Sequence, residues 1–491
     1  MQGRAAAPER WKPMTREHQK LAGRLEAWID GTREAFLKDL MDLIRIPSVS
    51  APQPGPDPYG AACTCVLEES VRIARRRGFA AHNYENRYVL LELPGRSEHT
   101  IGIFCHLDVV AAGTGWAGDP YAPVLRDGHV FGRGSTDNKG PAAAMLSLLD
   151  FLRQTEYPLE HTIQLFLGGS EENGMMDLDD YLARHTPPEC SLIPDAQFSV
   201  CCGEKGHLTA TVSLPLAGSL VSLEGGISSN AVPDTARAVL RCDPAALRTA
   251  LGPDFPVTVT ETGTAVEALG RSAHAATPAA GENAIVKLSR ALLGSGVLDD
   301  GTAETLRRYS DLFGDFAGEG LGVACADAPS GALTAVGGCL RTVDGHLEQS
   351  LDIRYPVTAD PNELNRRLAD TLLRRGCAIS AVSDSEPLYY PPDDPMIRML
   401  NDTCNEILGT NLSPYVIGGG TYARKLPQAV AFGHLLRSRP RPGGAKKGGG
   451  HQVDECVFVQ GLEDLMRVYL RALLRLDVLD ADETTPASRE C

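Results

Sequence analysis

Apolar and polar positions along this chain change period several times, and each change marks an element. In "AFLKDLMDLIRIPSVS", Phe36, Leu40, Leu43 and Ile44 fall on one helical face, and Pro47 stops the helix. The polar residues from 1 to about 30 read as a loose lead-in to it. A Pro-rich loop, "APQPGPDPYG", precedes a predicted helix through Val66–Arg77 and the strand "RYVLLEL". "TIGIFCHLDVV" reads as a buried strand, and "GPAAAMLSLLDFLRQ" as a helix with Pro141 early in it. "HTIQLFLGGSEENG" is a second apolar strand that closes on glycine and acidic residues. Strands alternating with amphipathic helices predict an α/β domain with a doubly wound, largely parallel sheet. In such sheets the ligand crevice lies beyond the carboxyl ends of the strands. His106, Asp108, Glu171 and Glu172 would all emerge there.

After about residue 203 the texture changes. Strand-like "LTATVSLPL", "ARAVLRC" and "HLEQSLDIRYPV" mix with the helical "ENAIVKLSRALL". The doubly wound texture resumes near 390 with the helices "DPMIRMLNDTCNEIL" and "GLEDLMRVYLRALLRL". The expectation is a first domain made of 1–202 and 388–491, with an α+β domain, 203–387, inserted into it. No internal repeat is visible, and "RSRPRPGGAKKGGG" reads as a loop.

Composition narrows the classes. The 491 residues, 43% apolar and 22% charged, describe a globular chain of two or three domains. A formal charge of −16 argues against a nucleic-acid partner and, more mildly, against anionic membrane. No segment reads as a signal peptide or is apolar for long enough to span a bilayer. The 13 cysteines contain no CxxC pair, which predicts reduced thiols in a cytoplasmic protein. Formal glycosylation triplets at Asn401 and Asn411 then carry no meaning.

On an extended strand His106 and Asp108 share a face, although an isolated HxD is a weak signal. Other groups strengthen it. Asp137 sits in the Gly-bounded "GRGSTDNKGP", Glu171 and Glu172 in "GGSEENG", Asp195 in "IPDAQFSV" and His451 in "GGGHQVDE". Two imidazoles with several carboxylates suit zinc, manganese or cobalt better than calcium or magnesium. Adjacent glutamates point in opposite directions along extended chain, so one can bind metal while the other addresses a water. Taken alone, "EENG" reads equally as a solvated turn. Motifs for a serine-hydrolase elbow, an HExxH helix, a P-loop and a dinucleotide fingerprint are all missing.

From "IRIPSVS" through "HLDVV", "DPYAPVLRDGHVFGRGSTDNKGP", "SEENG" and "PDAQFSVCCGEKG", and again at "GGISSNAVPD", "GRSAHAATPAAGENA", "GGGTYAR" and "HQVDE", the chain resembles the metal-dependent aminoacylase–carboxypeptidase family. The dipeptidase V and carnosinase-like branches are the most similar. The resemblance implies two divalent ions, zinc first and manganese or cobalt otherwise. His106 and Asp195 would hold one ion, Glu172 and His451 the other, and Asp137 would bridge them. A cis peptide would follow at Asp137–Asn138. Glu171 would be the general base for a water shared by the metals, with Asp108 supporting the site. In the inserted domain, Asn230 and His274 would reach the substrate carbonyl and Arg354 its carboxylate. Backbone groups of "GGGT", including Gly419, Gly420 and Thr421, would bind that carboxylate too. Two metals lower the pKa of a shared water, and an imidazole carried on a separate domain implies closure around substrate.

The expected activity is hydrolysis of the amide of a dipeptide or similar small substrate with a free carboxylate. Deacylation of N-acyl amino acids is the alternative within the same chemistry, and a non-catalytic ligand-binding protein the alternative outside it. Monomer and homodimer both remain open. One departure from the family stands out: Arg437, Arg439, Arg441, Lys446 and Lys447 make a basic loop before His451. It reads as a solvated loop or as a cationic patch at the mouth that favours acidic substrates.

Overall fold

The computed structural model describes residues 15–439, 441–444 and 447–477. It separates into two compact units, Met1–Cys202 with Tyr390–Tyr415 and Thr421–Cys491, and Gly203–Tyr389 with Val416–Gly420.

The first unit is built on a mixed sheet. Its strands run in the order Ala81–Tyr84, Tyr88–Leu93, Thr162–Gly168, Thr100–His106, Cys190–Ile193, Ala429–Ala431 and Cys201–Glu204. The pairings from Thr162–Gly168 to Ala429–Ala431 are parallel, and those at the margins are antiparallel. This is the α/β sheet that the alternation of apolar and amphipathic segments predicts. The central strands are buried almost throughout, as expected of strands covered on both faces. Helices Lys139–Thr155 and Val459–Leu476 pack on one another, and the first also packs on Thr100–His106.

The N-terminal segment differs from expectation. One helix runs Arg16–Ile44, so residues 16–30 are not a lead-in. Leu21, Leu25 and Ile29 recur every four residues and are buried. A single buried residue per turn is easily lost among charges, yet it continues the stripe through Phe36, Leu40 and Leu43. Thr15 starts the helix as a capping box, its hydroxyl accepting from the His18 amide at 3.2 Å. At the other end buried Lys139 donates to the carbonyls of Leu43 and Ile46, at 3.0 and 2.8 Å. The helix is therefore tied to the residue that opens the Lys139–Thr155 helix.

The second unit carries an eight-stranded antiparallel sheet. Its central strands include Leu220–Gly225, Thr334–Val343, His346–Tyr355 and Gly206–Pro215. Along residues 206–214 buried and half-buried positions alternate strictly, so one face is covered. The helices Ala284–Gly294 and Asp300–Phe313 provide that cover, through a core that includes Leu208, Val212, Ile285, Leu306 and Tyr309.

Truncating Leu25 to Ala should lower the stability by about 2–5 kcal/mol, the usual cost of a buried Leu cavity. Urea denaturation measures it, and a change near zero would show that residues 16–30 do not pack.

Candidate metal centre

Three neighbouring parallel strands deliver the polar groups. His106 is the last residue of Thr100–His106 and lies opposite Gly168 in register. Glu171 and Glu172 follow Gly168 on the next strand, and Asp195 follows Cys190–Ile193 on the other side. Parallel strands end at the same level, so their outgoing loops converge. Below them lies an aromatic cluster, in which Phe166 meets Phe104, Tyr88 and Tyr422 with ring centroids 5.1–5.5 Å apart. Gly168 is required there, because a Cβ would stand 2.0 Å from the Tyr422 hydroxyl. That hydroxyl donates to Asp177 at 2.6 Å, and Asp177 also accepts from the Ser170 amide.

The strand stops at His106, so the sharing of one strand face is not what joins His106 to Asp108. The His106 Nδ1 instead faces the Asp108 main-chain oxygen at 3.0 Å, closer than the carboxylate at 3.4 Å. With Nδ1–H donating to that carbonyl, the neutral ring would carry its lone pair on Nε2. The Asp108 carboxylate accepts the amides of Glu171 and Glu172, both at 3.0 Å. One residue thus orients the imidazole with its backbone and the acidic loop with its side chain.

Asp137 stands between two imidazoles. Its Oδ1 is 3.1 Å from His106 Nε2, and its Oδ2 is 3.1 Å from His451 Nε2. His451 Nε2 also lies 2.8 Å from Glu172, and His106 Nε2 3.6 Å from Asp195. The Asp137–Asn138 peptide is cis. The Asn138 side chain donates to the Pro194 carbonyl and to Asp195, at 2.9 and 3.2 Å, and so fixes the latter. His451 adopts φ +62°, and the glycine before it is needed, since a Cβ on Gly450 would meet Asp137 Oδ2 at 2.8 Å.

The electrostatics reflect crowded anions. Burial opposes a charge on His106, but its contacts with Asp108, Asp137 and Asp195 carry its pKa well above the usual imidazole range. Against burial, Asp137 and Glu172 push His451 up to about 11. Asp137 lies far below the ordinary carboxylate range, because both imidazoles outweigh its burial. Glu171 moves the opposite way: burial and then its acidic neighbours raise it well above the usual value, although His106 pulls it down. Burial and Asp137 push Glu172 up to about 7.

A divalent cation fits this donor set. The ligand atoms of His106, Asp137 and Glu172 lie within 4.8 Å of one another. Each imidazole aims Nε2 at two carboxylates, and the backbone contact of His106 selects the tautomer that a metal-binding ring requires. Imidazole and carboxylate donors without thiolate suit zinc, manganese and cobalt.

The second unit carries all the other candidates but Thr421. Asn230 and His274 lie on adjoining segments, joined by an antiparallel bridge between Ala231 and His274 and by the Ala275 amide donating to the Asn230 carbonyl at 2.9 Å. The Ala276 amide donates to His274 Nδ1 at 3.1 Å, which places the proton of the neutral ring on Nε2. Arg354 is buried and gripped by Asp352 through Nε and Nη2, at 2.7 and 2.9 Å, while Nη1 lies 3.4 Å from the Gly418 carbonyl. Gly419 and Gly420 belong to this unit, and Thr421 to the first.

Residues 102–475 match peptidase family M20/M25/M40. The chain belongs to that family. Over 465 residues it is 30% identical to a Bacillus subtilis (strain 168) protein named "Putative dipeptidase YtjP", covering 90% of this chain and 97% of that one. It is 26% identical over 471 residues to the Beta-Ala-Xaa dipeptidase of Lactobacillus delbrueckii subsp. lactis, covering 91% and 97%. The fold is similar to that of human carnosine dipeptidase 1, with a TM-score of 0.57 at 16% identity over 95% of this chain and all of that one. The protein is thus an enzyme of a peptidase family, and among its described residues no helix is long and apolar enough to cross a membrane.

Three of the five cations of the basic loop find partners within the first unit, and Arg441 is exposed. Arg437 donates to Gln197 and lies over the Tyr415 ring, Arg439 pairs with Asp464, and Lys447 pairs with Asp454 at 3.0 Å. Lys446 lies outside the described residues. These pairings favour a tethered loop over a patch of substrate-seeking cations. Asn138, Glu455 and Arg133 carry no signal of their role in the sequence. Only their neighbours in space distinguish them from ordinary loop residues.

Asp108→Asn would turn one acceptor into a donor facing an N–H, leaving one amide of Glu171 or Glu172 unsatisfied at a cost of about 1–3 kcal/mol. Hydrogen exchange of these two amides should accelerate in the variant; unchanged protection would contradict the clamp.

Proposed function

We propose that the chain is a two-metal hydrolase that cleaves the amide bond of dipeptides or similar small substrates with a free carboxylate. The observation that carries this reading is Asp137, which offers one oxygen to each of two imidazoles. A carboxylate so placed suits sharing between two ions, with His106 and Asp195 completing one set and Glu172 and His451 the other. Zinc is the first choice, and manganese or cobalt suits the same donors. When bound, such ions supply Lewis-acid polarisation of an amide carbonyl and acidify water.

The chain's own groups would do the rest. Glu171 is anchored through its amide to Asp108, and its carboxylate is proposed to take a proton from the attacking water and return it to the leaving amine. His274, with its proton on Nε2, suits donation to the developing oxyanion, and Asn230 beside it suits the same carbonyl. Arg354 is assigned the substrate carboxylate. The fork with Asp352 uses its Nε–Nη2 edge, and the remaining N–H groups of Nη1, which lies 3.4 Å from the Gly418 carbonyl, and Nη2 suit a substrate oxygen. Gly419, Gly420 and Thr421 would add backbone donors. The names of the relatives support dipeptides as the substrate class, and the free thiols among the described residues support a reducing, cytoplasmic setting.

Dialysis against a chelator should abolish dipeptide hydrolysis, and zinc, manganese or cobalt should restore it; full activity after verified metal removal would refute the reading. Glu171→Gln should lower kcat by about 10²–10⁴-fold, the span of general acid–base catalysis, with metal content unchanged. Assaying free dipeptides beside N-acetyl amino acids separates the dipeptidase from a deacylase, and inactivity on both would favour a binding protein.

A further inference from the structure

Glu455 has no part in the reaction proposed above, yet it is fully buried and its carboxylate is crowded with donors. It follows His451 by four residues and reaches beneath the loop that carries Asp137. Oε2 accepts from Arg133 Nη1 at 2.6 Å and from the Gly134 amide at 3.0 Å. Oε1 accepts from the amides of Thr136 and Asp137, at 2.9 and 3.1 Å. The backbones are joined as well: the Gly132 amide donates to the Glu455 carbonyl at 2.9 Å, and Cys456 pairs with Phe131 across an antiparallel ladder. On its other flank the loop is held by the Thr136 hydroxyl, 3.0 Å from His434 Nε2.

A buried ion pair by itself is weak evidence of a stabilising role, since removing two charges from water offsets most of their attraction. What separates Arg133–Glu455 from the buried Arg77 pairs is where its remaining valences go. Arg77 bridges Asp39 and Asp150 through side chains alone, at 2.7 and 3.2 Å. Glu455 instead accepts three backbone amides within residues 134–137, ending at that of Asp137. Its own backbone runs directly from His451. One carboxylate therefore fixes the segment bearing Asp137 to the segment bearing His451. Asp108 does the same between His106 and the two glutamates.

We propose that Glu455, held by Arg133, is a positioning residue that sets the Asp137 carboxylate between the His106 and His451 imidazoles and thereby sets the affinity for divalent ions. This rests on the reading of Asp137 as a metal ligand. Glu455 needs no contact with substrate or ion; it acts through the backbone of Gly134–Asp137.

The test uses full-length protein stripped with a chelator and titrated with zinc alone, in competition with a chromophoric chelator. Glu455→Gln preserves volume but points an NH₂ group at N–H donors. Its zinc affinity should fall about 10- to 100-fold, the usual loss when an outer partner of a metal ligand is altered. Asp39→Asn, at the comparison ion pair, should lower Tm and leave zinc affinity unchanged. Should Glu455→Gln fail to fold, Thr136→Val loosens the same loop without moving a charge, and it should weaken zinc binding in the same direction. Zinc binding within about twofold of the parent in the folded variant would reduce Glu455 to a structural role and overturn the proposal. If the parent binds no zinc, or binds it as well after His106→Ala or His451→Ala, the metal-centre reading itself fails and this one with it.

Discussion

Concentrated negative charge is the constraint around which the first unit is arranged. Asp108, Asp137, Glu171, Glu172 and Asp195 end up beside one another at the rim of a buried sheet. Two carboxylates about 4 Å apart repel by roughly 4 kcal/mol at an effective dielectric near 20. Such a cluster survives only where positive charge or N–H donors answer each oxygen. Here the answers are divided: backbone amides satisfy Asp108 and Glu455, and imidazoles face Asp137 and Glu172. The shifted protonation of both histidines expresses the same demand for cations that divalent ions would meet.

The division also separates two kinds of acidic residue. Asp108 and Glu455 turn their carboxylates toward main-chain N–H groups and are sealed from water. Asp137, Glu172 and Asp195 retain some exposure, and each has an oxygen facing an imidazole or its neighbour. The sealed pair spans the seams between chain segments far apart in sequence. Through them the strand ending at His106, the loop of Glu171 and Glu172, the loop of Asp137 and the turn of His451 behave as one frame. A rigid frame is what a site of this kind requires, because misplacing a ligand by a fraction of an ångström loses affinity and rate.

Much of this was legible in the residues. The apolar runs located the central strands, and the acidic and histidine groups at their ends marked the rim. The α+β texture after residue 203 matches an antiparallel sheet covered by helices. What escaped had physical causes. The start of the first helix was hidden because Leu21, Leu25 and Ile29 supply only one buried residue per turn amid charges. His106 and Asp108 were expected to share a strand face, but the strand ends at His106 and the Asp108 carbonyl makes the closer contact. Nothing local marks Asn138, whose NH₂ group donates to Pro194 and Asp195 across the fold.

By itself the sequence determined most element types, the sheet class and the chemical kinds gathered at the rim, because periodicity and residue type are local properties. Only the tertiary structure decided which oxygen faces which nitrogen, that Asp137 is shared between His106 and His451, that Glu455 binds the backbone of a loop 318 residues away, and that the basic loop is tied to Gln197, Asp464 and Asp454. Hydrogen bonds and ion pairs depend on distance and direction in space, and between segments so far apart along the chain those are set by the packing of the whole unit.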